Sequence, residues 1–170
     1  MRLFVAVNFN AETRLKLLAL RDELRTRAIR GSFVAPENIH MTLVFLGDCT
    51  PKQVSAAKKA MNKAAFSPFD ICIDSLGRFK RSGSDLWWAG VRENDALLSL
   101  QRRLSENLTR GGFKLDNDSF RPHITLGRKV VSRTVPRSVE PFGQTVTSID
   151  LMSSESINDV LTYTSIHQVP

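Results

Sequence analysis

His40-Met41-Thr42-Leu43 and His123-Ile124-Thr125-Leu126 are one phrase, His-apolar-Thr-Leu, written twice with the second copy 83 positions after the first. The chain holds three histidines in 170 residues, so two of the three stand in matching frames. Side chains alternate along a strand. Strict alternation predicts His40, Thr42 and Val44 on one face, with Met41, Leu43 and Phe45 on the other. It likewise predicts His123, Thr125 and Gly127 opposite Ile124 and Leu126. Each strand then aims an apolar row at a core and shows an imidazole and a hydroxyl on its far side. Two such rows facing one another would surround a small anion with two imidazoles and two hydroxyls. That set suits a phosphodiester. One ring removes a proton, the other donates one, and the hydroxyls bind the non-bridging oxygens.

Outward from these strands, the pattern reads β-α-β-α-β-β-α-β-β-β. Strands are expected at residues 2–9, 39–47, 69–79, 86–91, 121–131, 144–152 and 160–168. Asn10 suits a helix cap, followed by Leu17, Leu20, Leu24 and Ala28 on one face before Gly31. Thr50-Pro51-Lys52-Gln53 has the form of a capping box with proline at the first helical position. Val54, Ala57, Met61 and Ala64 supply that helix's stripe. Asn94 can cap a third helix, with Leu97, Leu100, Leu104 and Leu108 inward, ended by Gly111-Gly112. Arg81-Ser82-Gly83-Ser84 reads as a hairpin turn. A helix followed by a His-x-Thr strand occurs in each half. The expected fold is therefore α+β, with two pseudo-symmetric lobes of antiparallel sheet and outer helices around a central cleft.

Bulk composition agrees with a soluble chain of one domain, residues 1–170. Apolar residues are 42% and charged residues 24%, and the formal net charge is +7. That surplus points to anionic partners, nucleic acid or nucleotides first. Cys49 and Cys72 have no metal or redox spacing and read as small apolar residues in a reducing compartment. The apolar start, residues 1–7, is broken at Asn8 and Asn10 and reads as a buried strand rather than a signal peptide. No apolar run is long enough to span a bilayer. A cytoplasmic monomer is expected. A zinc site from His40, His123 and His167 is a weaker alternative, because no short ligand pair is present.

Other residues are less decisive. Arg121 shares the face of His123 by alternation, and Arg128 lies opposite unless a bulge intervenes at Gly127. Lys80 and Arg81, at the hairpin turn, could touch an RNA backbone or simply be solvated. Trp87 and Trp88 point to opposite faces, one to the core; the other could stack on a base, with core or lobe-interface packing the favoured alternative. Phe45 points coreward by parity, with a cleft-edge position against a nucleobase as the alternative. His167, with no Thr partner, reads as structural.

The residues resemble the two-histidine (2H) phosphoesterase superfamily, defined by two His-x-Thr-x motifs. Within it they resemble the RNA 2′,3′-cyclic phosphodiesterases, also called 2′-5′ RNA ligases or LigT-like proteins. The resemblance runs through residues 1–6, residues 38–47, Gly77-x-Phe79, Trp88-x-Gly90-Val91, residues 120–128, and Ser154-Glu155-Ser156 with Tyr163. It implies metal-independent, cofactor-free hydrolysis of RNA or nucleotide 2′,3′-cyclic phosphates to 2′-phosphate ends, with reversible 2′-5′ RNA ligation as a second reaction. It implies His40 as proton donor, His123 as proton acceptor, and Thr42 and Thr125 as phosphate ligands. It favours Arg128 over Arg121 as a substrate contact. Gly127 departs from a bulkier residue common in the family, which implies a roomier cleft. Competing readings are a phosphodiesterase for a 2′-5′ linkage or ADP-ribose 1″,2″-cyclic phosphate, and a non-catalytic RNA-end-binding module.

Overall fold

The computed structural model describes residues 1–116 and 118–170. Among these it has nine strands and three α-helices. In chain order they are β1 (Arg2–Asn8), α1 (Ala11–Arg27), β2 (Ala28–Phe33), β3 (His40–Asp48), α2 (Pro51–Asn62), β4 (Phe69–Arg81), β5 (Ser84–Val91), α3 (Asp95–Arg110), β6 (His123–Ser132), β7 (Arg137–Val146), β8 (Ile149–Ile157) and β9 (Val160–Val169). A 3-10 turn, Pro36–Asn38, leads into β3. All strand pairings are antiparallel, in two sheets of order β3-β1-β8-β9 and β2-β6-β5-β4-β7. The architecture is α+β, as the alternation of elements predicts.

The helix ends follow the capping chemistry. Asn10 and Asn94 side chains accept from the amides of Thr13 and Leu97. Thr50 and Gln53 close a reciprocal capping box. Such caps stabilise a helix start by about 0.5–2 kcal/mol each. The predicted stripes are buried: Leu17, Leu24, Ala57, Met61, Leu97, Leu100, Leu104 and Leu108 join the inner faces of both sheets in one apolar cluster. α1 packs on β6 and β7, and α2 and α3 pack on each other with α3 against β3 and β4.

Each histidine strand lies beside the strand that precedes it by one helix: β3 beside β1, β6 beside β5. The chain nevertheless crosses between sheets. The first sheet joins β1 and β3 to the C-terminal hairpin β8–β9, and β2 leaves the first half to flank β6. Two strands differ from the sequence expectation. β2 is an edge strand with its central four residues exposed, so it has no apolar period to read. β7 is the other edge of that sheet and contains Pro141, which an edge tolerates. The expected strand at 144–152 straddles the link between β7 and β8, and the expected start of β6 at 121 moves to His123. Ala28, expected on the first helix's stripe, begins β2 instead.

Candidate active site

Both histidine strands carry the same irregularity at the same place. In β3, Thr42 faces Ala6 and Val44 faces Val5, so Leu43 is an extra residue. In β6, Thr125 faces Trp88 and Gly127 faces Trp87, so Leu126 is extra. A bulge of one residue inverts the alternation beyond it. Val44 and Gly127, predicted beside the histidines, are buried. Phe45 and Arg128, predicted opposite, emerge exposed on the histidine side. Phe45 is 69% exposed and its ring lies 6.4 Å from Phe4, which itself stacks on His40 at 4.8 Å. The coreward expectation for Phe45 is thus corrected by the bulge. So is the roomier cleft expected from Gly127: a Cβ there would press on Val130 and Phe33, which already fill that space.

The two rings are held alike. His40 Nδ1–H donates to the carbonyl of Asn38 at 2.7 Å, and His123 Nδ1–H donates to the carbonyl of Arg121 at 2.6 Å. In both, the acceptor is two residues upstream. This bond selects the tautomer that leaves a lone pair on Nε2. The carbonyl of Asn38 is itself placed by the 3-10 turn, and the Asn38 amide donates to Leu161 on β9 at 3.0 Å. Thr42 Oγ1 lies 2.9 Å from His40 Nε2 and donates to it in this tautomer. Thr125 has the corresponding place on β6, half-buried on the His123 face.

Electrostatics ties the two strands together. Burial lowers the pKa of both rings below the ordinary 6.5, and the Asn38 and Arg121 carbonyls oppose that shift. The positive charge of Arg128 lowers both further, and that of His123 is felt at His40. One guanidinium acting on both imidazoles places Arg128, His40 and His123 in one neighbourhood, where β3 meets β6. Arg121 contributes its backbone carbonyl, while its guanidinium turns to Phe79. His167 stands apart, bonded through Nε2 to Asn62 Oδ1 at 2.9 Å. Among the described residues no group of three or more His, Cys, Asp or Glu side chains is arranged to hold a metal ion.

Aromatic residues wall the rings. Tyr163 stands edge-on to His40 at 5.2 Å. Phe79 stands edge-on to His123 at 5.2 Å, with Trp88 at 6.4 Å. Trp87 is the core member of the tryptophan pair, wholly buried. Trp88 lies over Gly77, where a Cβ would collide with its ring, and reaches Gly90, where a Cβ would meet Ser75 Oγ first and the indole next. The Gly77-x-Phe79 and Trp88-x-Gly90 pairs therefore make one device: two glycines open the sheet surface so an indole can lie down beside His123. Ala at Gly77 is expected to cost about 1–3 kcal/mol of stability through overpacking. A lowered Tm with a red-shifted tryptophan emission checks it, and an unchanged Tm contradicts it. Phe4, Tyr163, Phe79 and Asn38 enter the sequence reading only through the resemblance, with no part at the site, and Trp88 only as one of two tryptophans of which one could stack on a base. Their signal is weak, because only cross-strand register shows that they touch a histidine.

The family model for LigT-like phosphoesterases matches residues 7–88 and 90–161. The chain belongs to that family. Among LigT-like relatives, the Archaeoglobus fulgidus RNA 2′,3′-cyclic phosphodiesterase is 36% identical over 154 residues, covering 85% of each chain. The Escherichia coli K12 RNA 2′,3′-cyclic phosphodiesterase is 29% identical over 167 residues, covering 97% of this chain and 93% of that one. The fold superposes on apo E. coli LigT with a TM-score of 0.85 at 26% identity, covering 99% of this chain and 95% of that one. E. coli LigT complexed with 3′-AMP matches with a TM-score of 0.83 at 26% identity and the same coverage. No helix of the described residues is long and apolar enough to cross a membrane.

Proposed function

We propose that this LigT-like phosphoesterase hydrolyses RNA 2′,3′-cyclic phosphate ends to 2′-phosphomonoesters by paired-histidine acid–base catalysis, without a metal. The observation that carries the reading is the matched tethering of two imidazoles by upstream carbonyls. It leaves a lone pair on both Nε2 atoms beside one arginine, the one on His40 accepting from Thr42. The names of the relatives supply the ester class.

In the forward direction, His123 Nε2 accepts a proton from water as the water oxygen bonds to phosphorus. The bond from phosphorus to O3′ breaks, and protonated His40 gives its Nε2 proton to the departing O3′. The products are a 2′-phosphomonoester and a 3′-hydroxyl, and solvent returns the rings to their starting states. Assignment of the base to His123 is supported by the Thr42 hydroxyl, which occupies His40 Nε2 in the resting tautomer. Arg128, Thr125 and a reoriented Thr42 bind the non-bridging oxygens, where negative charge gathers. The anionic substrate offsets Arg128 and raises the His40 pKa, so the proton donor is loaded when substrate binds. Residues 1–170 act as one unit, with the two lobes each supplying one ring. With 5′-hydroxyl RNA in place of water, the same steps form a 2′-5′ linkage.

An oligonucleotide ending in a 2′,3′-cyclic phosphate, incubated with the protein in excess EDTA, tests this. The expected product carries a 2′-phosphate and survives unchanged in rate by EDTA. A 3′-phosphate product would refute the assignment of the leaving oxygen. Activity abolished by EDTA and restored by zinc would refute the metal-independent mechanism. Binding without turnover would favour an RNA-end-binding module.

A further inference from the structure

The aromatic neighbours of the two rings differ although the histidines match: those of His123 carry arginines and those of His40 do not. The ring of His40 has Phe4 and Tyr163 for neighbours, with Phe45 beyond Phe4, and all three are uncharged. The ring of His123 stands on Phe79, and Phe79 carries two guanidiniums: Arg81 at 5.7 Å and Arg121 at 6.0 Å from its centroid. Both arginines are exposed. Neither has a carboxylate within ion-pair distance among the described residues. The nearby hairpin carboxylate, Asp85, is engaged by Arg78 at 3.6 Å. The Arg81 guanidinium donates to the carbonyl of Lys80 at 3.4 Å, while the Arg81 backbone amide donates to Asp85 Oδ1 at 3.4 Å.

Arginines placed for stability find carboxylates or carbonyl clusters. A pair parked on one aromatic ring and left without counter-ions keeps its N–H donors for a ligand. A guanidinium held within cation–π range of an aromatic face is partly positioned already, so less rotamer freedom is lost when it binds an anion. Phosphates beside an aromatic face are the groups that a single nucleic-acid strand presents.

We propose that Phe79, Arg81 and Arg121 form a binding site for the backbone of single-stranded RNA upstream of the reacting end. The strand lies along the His123 rim, with phosphates on the two arginines and an unpaired base against Phe79. This rests on the hydrolysis proposed above and deepens it, because it makes a polynucleotide the preferred substrate over a mononucleotide. The aromatic rings around His40 carry no such pair of arginines among the described residues, so the strand is bound in one direction across a pseudo-symmetric site.

The test compares a short single-stranded oligonucleotide ending in a 2′,3′-cyclic phosphate with a nucleoside 2′,3′-cyclic phosphate. The wild-type protein is expected to show a KM about tenfold or more lower for the oligonucleotide. Arg81→Ala is expected to raise the oligonucleotide KM about tenfold and leave mononucleotide kcat/KM within about twofold. It should reduce the slope of log KM against log salt by about 0.7, the value for one phosphate contact in a single strand. Arg121→Gln should reduce the slope by a similar amount. An unchanged preference in Arg81→Ala, or an equal loss with both substrates, would overturn the proposal. So would equal affinity for a fully paired duplex end, since the ring needs an unpaired base. If the wild-type protein turns over neither substrate, the hydrolysis reading fails by itself. Fluorescence anisotropy with a 3′-phosphorylated oligonucleotide then decides the RNA site: weaker binding by Arg81→Ala supports it, and equal binding rejects it.

Discussion

Alanine at His40 or at His123 is expected to lower kcat/KM on a cyclic-phosphate-ended RNA by about 10²–10⁴-fold, the usual contribution of a positioned proton donor or acceptor. The two losses should not multiply. Once one ring is gone the transition state already lacks concerted proton transfer, so the double variant should lie near the weaker single variant. Stability should change little, because each ring sits at the site and not in the core cluster. His40 is the more sensitive of the two in this respect, since it packs between Phe4 and Tyr163. Circular dichroism and Tm separate lost chemistry from lost fold. Near-wild-type kcat/KM in either single variant would end the assigned roles.

Arg128→Ala is expected to lower kcat/KM by about 10²–10³-fold, the cost of removing one oriented donor from developing charge. Arg128→Lys should recover part of this, since the charge returns but the two-pronged geometry does not. A second readout distinguishes catalysis from packing. In the folded protein Arg128 lowers the pKa of both histidines, after burial, which is the larger cause. Its removal should raise both toward 6.5 without reaching it, as seen by NMR titration of the ring protons. The sign for stability follows. Folded-state pKa values below 6.5 mean that the unfolded chain binds more protons as pH falls. The resulting stability is present above pH 6.5 and is lost as pH falls through the folded-state values. Arg128→Ala narrows the gap between the two states, so its acid-induced loss should be smaller than that of the wild type. Unchanged histidine titrations would mean that Arg128 does not face both rings.

Some of this was legible from residue order. The helix caps at Asn10, Thr50 and Asn94 are local, made within three or four residues, and local chemistry is visible in sequence. The leucine stripes of α1 and α3 follow from period, and β1 from its continuous apolar run. β2 and β7 were not legible. An edge strand is defined by its partner, and neither the exposed run in β2 nor Pro141 in β7 advertises one. The faces of Phe45 and Arg128 were hidden for a related reason. A bulge at Leu43 and another at Leu126 change which side each later residue takes, and both depend on pairing with β1 and β5.

Residue order by itself determined the two His-x-Thr strands, the helices between them and the alternation that separates a core face from a polar one. These depend on neighbours a few positions apart. Tertiary structure alone decided that His40 and His123 feel the same arginine, that Trp88 lies over Gly77, and that Phe79 beside His123 carries two arginines. Those features arise between strands far apart in the chain, where sheet register and burial, not local propensity, set which groups meet.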